Sequence, residues 1–138
     1  MIIKERVPKL WEHRIDIAHP KKIKRLTLFY EIFEKLCREW LDGKRYTDDK
    51  VMQTDYFKYL QGYHKSWQEV PLSERAKKQI IWRWREGRRL LFDIKEKGMK
   101  DPIEMITDER KRTYIYKGNR RLTILKVLGI EIADVDYK

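Results

Sequence analysis

Apolar residues of the chain first fall into a regular period at Leu26. Leu26, Phe29, Phe33, Leu36 and Trp40 recur at helical spacing, Lys35, Arg38 and Glu39 stand between them, and Gly43 follows as a stop. This predicts a helix over about residues 24–41. Upstream no period is visible: Pro8 and Pro20 interrupt helix, and only Arg14-Ile15-Asp16-Ile17 reads as a short strand. Residues 42–50 are polar and read as a loop. Thr54 or Asp55 can cap a short helix carrying Tyr56, Tyr59, Leu60 and Tyr63, and Pro71 ends that region.

The longest predicted helix runs over about residues 74–97, opened by Ser73 and Glu74 and closed by Gly98. At about 100° per residue, Ile80, Trp84, Gly87, Leu91 and Ile94 form its core stripe, while Lys78, Trp82, Arg85 and Arg89 fall on the opposite side. Beyond Gly98 the period shortens. Asp101-Pro102 gives an extended start, Ile103 and Met105 a strand, residues 108–111 a hairpin turn, and Thr113 to Tyr116 the returning strand. Gly118 turns the chain into a helix bearing Leu122, Leu125 and Leu128, ended by Gly129; Ile130, Ile132, Val135 and Tyr137 belong to a last strand. The expected fold is α+β: a small mixed sheet formed after residue 100 with packed helices. Residues 1–73 are read as a helical N-terminal extension and 74–138 as the core, the whole being one compact unit.

Composition narrows the functional classes. With 138 residues the chain can bury a core, and five Trp, eight Tyr and four Phe supply it despite 40% charged residues. The single Cys37 excludes an intrachain disulfide, the first residues lack an apolar leader, and no apolar run approaches the ~20 residues of a membrane span. A cytoplasmic setting, with no membrane, is therefore expected. His13, His19 and His64 lack ligand spacing, so no metal site is expected from protein side chains alone.

The net charge of +11 favours a polyanionic partner. Lys and Arg outnumber Asp and Glu by 25 to 15 in residues 1–100 but only by 8 to 7 afterwards, so the excess lies upstream of the last third. Within it, Lys78, Arg85 and Arg89 form a basic ladder with the Trp82 ring inside, a pattern that suits a phosphate backbone and a stacked base. A merely solvated helix face is the plainer reading of the same residues.

The last third carries the sharper chemistry. Tyr116-Lys117-Gly118-Asn119-Arg120-Arg121-Leu122 joins a strand to a helix through a glycine and two arginines. Glycine lets the backbone approach a ligand, the first helical N–H groups lack internal partners, and two guanidinium groups stand beside them: a phosphate-binding turn. Cations at a helix N-terminus are unfavourable by about 0.3–1 kcal/mol unless an anion joins them. Pairing of either arginine with Asp134 or Asp136 is the structural alternative.

From about Leu90 onward the order of signals resembles the ParB/sulfiredoxin superfamily. The residues are Asp93-Ile94, Gly98, Asp101-Pro102-Ile103, the polar hairpin, Gly118-Asn119-Arg120-Arg121-Leu122, and Leu128-Gly129-Ile130. In ParB proteins the motif similar to Gly118-Asn119-Arg120-Arg121 binds the phosphates of cytidine triphosphate with magnesium and helps close a clamp on DNA. The resemblance thus implies a nucleoside triphosphate, CTP or ATP, with Mg2+ as cofactor, and DNA as partner. Those proteins usually carry glutamate where this chain has Asn119, and an amide cannot act as a carboxylate base, so binding with weak or no hydrolysis is expected. With Lys138 ending the sequence before any helix-turn-helix or dimerisation domain, a complete ParB clamp is not expected.

Sulfiredoxins place their reactive cysteine where Asn119 stands, so sulfinic acid reduction is not expected either. Other members of the superfamily are kinases, ATPases and nucleases, and an enzyme of that kind would draw its acids from Glu104 or Asp101. A non-catalytic nucleic-acid or protein interaction module is the remaining alternative.

Overall fold

The structure, a computed structural model, describes residues 1–13, 23–68 and 73–138, the side chains of 23–28 and 62–68 excepted. The expected strand over residues 14–17 lies outside the described residues, as do Pro20 and Pro71. Four strands and six helices follow one another among the described residues. They are β1 (Ile2–Arg6), α1 (Val7–Trp11), α2 (Ile23–Leu41), α3 (Asp48–Val51), α4 (Asp55–Gln68), α5 (Glu74–Lys97), β2 (Ile103–Thr107), β3 (Thr113–Lys117), α6 (Asn119–Val127) and β4 (Ile132–Tyr137).

The strands form one mixed sheet in the order β1-β4-β2-β3, so the chain is an α+β protein as expected. β2 and β3 make an antiparallel hairpin, while β2 and β4 run parallel with Ile103 opposite Val135. The outer strand corrects the sequence reading. β1 comes from the N-terminal region expected to be helical, and pairs antiparallel with β4 from Ile2↔Asp136 to Arg6↔Ile132. Its Ile-Ile-Lys-Glu-Arg sequence shows no alternation because it is an edge strand with neither face well buried. The first helical turn, α1, then starts at Val7 with Pro8 in its first turn, a position where the missing N–H costs nothing.

Local signals place the helices closely. Ser73 Oγ accepts the Ala76 N–H at 3.1 Å, and α5 ends at Gly98 in a positive-φ conformation. Thr54 is the α4 cap, accepting the Phe57 N–H at 3.2 Å, and the helix extends to Gln68, beyond the short segment expected. The supposed loop 42–50 contains the start of α3, capped by Thr47.

The expected core stripe of α5 is buried throughout: Ile80, Trp84, Gly87, Leu91 and Ile94. A Cβ at Gly87 would lie 3.0 Å from the Phe33 ring, so the bare glycine is what lets α5 approach α2. Phe33 and Trp40 supply the α2 side of that contact, with the Trp40 and Trp84 rings edge-on at 4.9 Å, and Phe29, Leu36 and Cys37 of the same helix are buried too.

Helix α6 packs against α1, α2 and α5 as well as against β2. Four consecutive residues, Leu122, Thr123, Ile124 and Leu125, are therefore buried, a wider apolar girth than a one-sided helix would show. The free edge of β3 is covered by the chain just after α1: the His13 carbonyl accepts the Ile115 N–H at 2.9 Å, and His13 Nδ1 lies 3.0 Å from the Thr113 carbonyl. No helix among the described residues is long and apolar enough to cross a membrane.

Candidate functional site

The strand-to-helix turn forms where the sequence places it. Gly118 sits at φ 110°, in the left-handed region that favours glycine, and is the N-cap of α6 without any side-chain cap. The first α6 backbone hydrogen bond, Leu122 N–H to the Gly118 carbonyl, is 2.8 Å. A Cβ at Gly118 would stand 3.2 Å from Ile103 Cγ1 and 3.3 Å from Arg121 Nη2. Glycine thus admits both the β2 strand and the guanidinium of its own neighbour.

The two arginines part company. Arg121 Nη1 donates to the Asp101 carbonyl at 2.7 Å and to the Pro102 carbonyl at 3.2 Å, fastening the start of α6 to the loop before β2. Burial pushes its guanidinium below its ordinary pKa, while the Asp101 and Glu104 carboxylates act the other way. Arg120 makes neither of these bonds. Tyr56 is a buried ring packed against Phe29 at 5.5 Å and Phe33 at 6.2 Å, and burial pushes its hydroxyl pKa up, with the Arg83 and Arg120 charges acting the other way. Arg120 Nη1 and Tyr56 Oη are both shielded from solvent with no hydrogen-bond partner. Asn119 lends its carbonyl to the Thr123 hydroxyl at 3.1 Å, one turn along.

Neither arginine pairs with the acids of β4. Asp134 meets Lys4 at 3.7 Å, and Asp136 meets the Met1 amine at 3.4 Å and Lys138 at 3.5 Å. Glu104 is held by Lys138 at 3.0 Å and Lys117 at 4.0 Å, on the sheet face opposite the buried Ile103 and Met105. Asp101 touches Arg121 through its main chain. Both carboxylates act on the Arg121 guanidinium electrostatically.

Arg121 also lines a cavity of about 160 Å³ together with Asp93, Lys97, Lys100 and Asp101. That volume is below the roughly 300 Å³ at which whole small-molecule sites begin, though large enough for a group the size of a phosphate. Lys97, in the last turn of α5, and Lys100, just beyond the Gly98 cap, carry no motif in the sequence that marks them for this cavity. A second cleft, about 340 Å³, lies between α2, α3 and the start of α4, lined by Lys35, Glu39, Lys44, Tyr46, Lys50 and Asp55 among others. None of the site residues predicted from the sequence borders it.

The α5 ladder is where the helical period places it. Lys78, Trp82, Arg85 and Arg89 are all exposed, and Trp82 retains 62% of its accessible surface. Arg85 pairs with Asp48 of α3, and Arg89 with Glu86 at 3.3 Å.

Fold and site define a small α+β protein with a four-stranded mixed sheet and a glycine-initiated, arginine-bearing helix buried against it. No protein-family model matches the chain, and no curated protein or solved structure is significantly similar to it.

Proposed function

We propose that the chain binds the phosphates of a nucleoside triphosphate, CTP or ATP with Mg2+, at the start of α6, in a fold resembling ParB/sulfiredoxin proteins, with weak or no hydrolysis. The observation that carries this reading is Arg120. Its partly buried guanidinium has an Nη1 without acceptor, on the first turn of a helix that has neither an acidic residue in that turn nor a side-chain cap. Leaving a charged donor unpaired is costly, and an anion would satisfy both the guanidinium and the positive helix end. Arg120 is the contacting group, Arg121 orders the turn, and Gly118 gives the room. Asn119 stands where a carboxylate would promote turnover.

Calorimetric titration with the four ribonucleoside triphosphates and magnesium tests the proposal. Arg120→Ala should weaken binding by about 1.5–3 kcal/mol, the worth of a charge-assisted hydrogen bond. Phosphate release by the wild type should be slow or absent, and Asn119→Glu should raise it. Absence of binding at millimolar nucleotide would sink the reading, and brisk wild-type turnover would move it to the enzyme class.

A further inference from the structure

We propose that the outer face of α5 is a platform for single-stranded nucleic acid, with Trp82 as the ring on which a base stacks. This surface is separate from the turn at Gly118, and the inference does not rest on the nucleotide reading. Helix α5 carries two tryptophans with opposite fates: Trp84 is 4% exposed and belongs to the core, whereas Trp82, two residues before it, keeps most of its indole in water. The fold therefore has no packing use for most of that ring. An aromatic side chain is among the largest apolar surfaces a protein can offer, and one left exposed amid cations is suited to a partner that is both flat and anionic.

Charge completes the match. Lys78 lies four residues before Trp82, Arg85 three after and Arg89 seven after, so all three border the ring along about 16 Å of helix. Lys78 has no ion pair among the described residues. The pairs Arg85–Asp48 and Arg89–Glu86 are solvent-exposed, a setting in which ion pairs contribute only about 0–1 kcal/mol, so phosphates can displace them. Each phosphate neutralised releases counterions, and a stacked base buries the indole.

Strandedness follows from the ring. In a duplex the bases are already stacked on one another, so Trp82 would meet only sugar and phosphate and remain wet. An unpaired base can lie flat on it. A membrane surface is a poorer fit because this patch holds one apolar side chain, not a continuous apolar stripe.

Fluorescence anisotropy with labelled oligodeoxythymidylate, oligouridylate and a blunt duplex of equal length, without nucleotide or magnesium, measures the platform. Both single strands should bind more tightly than the duplex, with affinity falling between about 50 and 200 mM salt. Trp82→Ala should lower single-strand affinity roughly 5- to 150-fold, with Trp82→Phe retaining most of it. Arg85→Gln with Arg89→Gln should reduce the salt slope by about one to two units. All are exposed positions, and unchanged circular dichroism confirms that the fold persists. Tighter duplex binding, indifference to Trp82→Ala, equal binding of polyglutamate, or no binding at low salt would each overturn the proposal.

Discussion

Arg121 and Asp101 are joined through the main chain and not through an ion pair: the guanidinium donates to the Asp101 carbonyl at 2.7 Å. With the second bond to Pro102, it locks the loop before β2 onto the first turn of α6. Arg120, one residue earlier, makes no such bond. The two arginines should therefore separate stability from binding. Arg121→Ala should cost about 1.5 kcal/mol of folding stability, the low end for hydrogen bonds to a charged group because Asp101 is at the surface. Arg120→Ala should cost less and abolish most nucleotide affinity. Urea denaturation beside calorimetry distinguishes them, and equal stability losses would count against the division of roles.

Gly118→Ala tests the turn itself. The substitution forces a Cβ into a φ of 110° and to within 3.2 Å of Ile103, which is fully buried in β2. A loss of about 1–3 kcal/mol is expected, measured by denaturant midpoint, and a neutral result would show that the turn can relax to another conformation.

Cys37 offers a pH test. Burial in α2 pushes its thiol from 9.0 up to about 12, with Glu34 adding to the shift. The folded state thus holds the proton more tightly than the unfolded chain. The stabilisation is fully present below pH 9.0 and is lost as pH rises from there through about 12. Thiol reagents at pH 8 should label Cys37 only as fast as the chain opens, so labelling should accelerate with urea; rapid labelling of the native protein would contradict the burial.

Asp108 works in the opposite direction. Its carboxylate accepts the Arg110 and Arg112 N–H groups at 2.9 Å and Arg112 Nε at 2.8 Å, closing the β2–β3 turn. These contacts, the Arg112 backbone bond foremost, lower its pKa. The contribution is present above the ordinary carboxylate range and is lost as pH falls through the lowered value. Asp108→Asn should flatten that acid limb in a denaturation series, and an unchanged limb would show the turn holds without the charge.

Local chemistry explains which parts of this molecule were readable in advance. Ser73, Gly98 and Gly118 each act through neighbours a few residues away, so α5 and the turn before α6 could be placed from the sequence. β1 could not, because Ile2 and Ile3 acquire a strand partner only through residues some 130 positions later. The site divides in the same way. Gly118 is legible, but the bonds of Arg121 to the Asp101 and Pro102 carbonyls, which Arg120 does not share, come from a loop 19 and 20 residues upstream. A long flexible side chain carries no sequence signal of where it will point.

The pairing of β1 with β4 also sets an order of events during synthesis. The ribosome delivers Ile2 and Ile3 well before Ala133 to Asp136, the strand with which β1 pairs. β2 likewise waits for β4 on its parallel side. Until then β1 has no strand to pair with, so the sheet closes only after β4 has left the exit tunnel. Release of the chain before β4 would leave both β1 and one side of β2 open to other strands, and such fragments should aggregate.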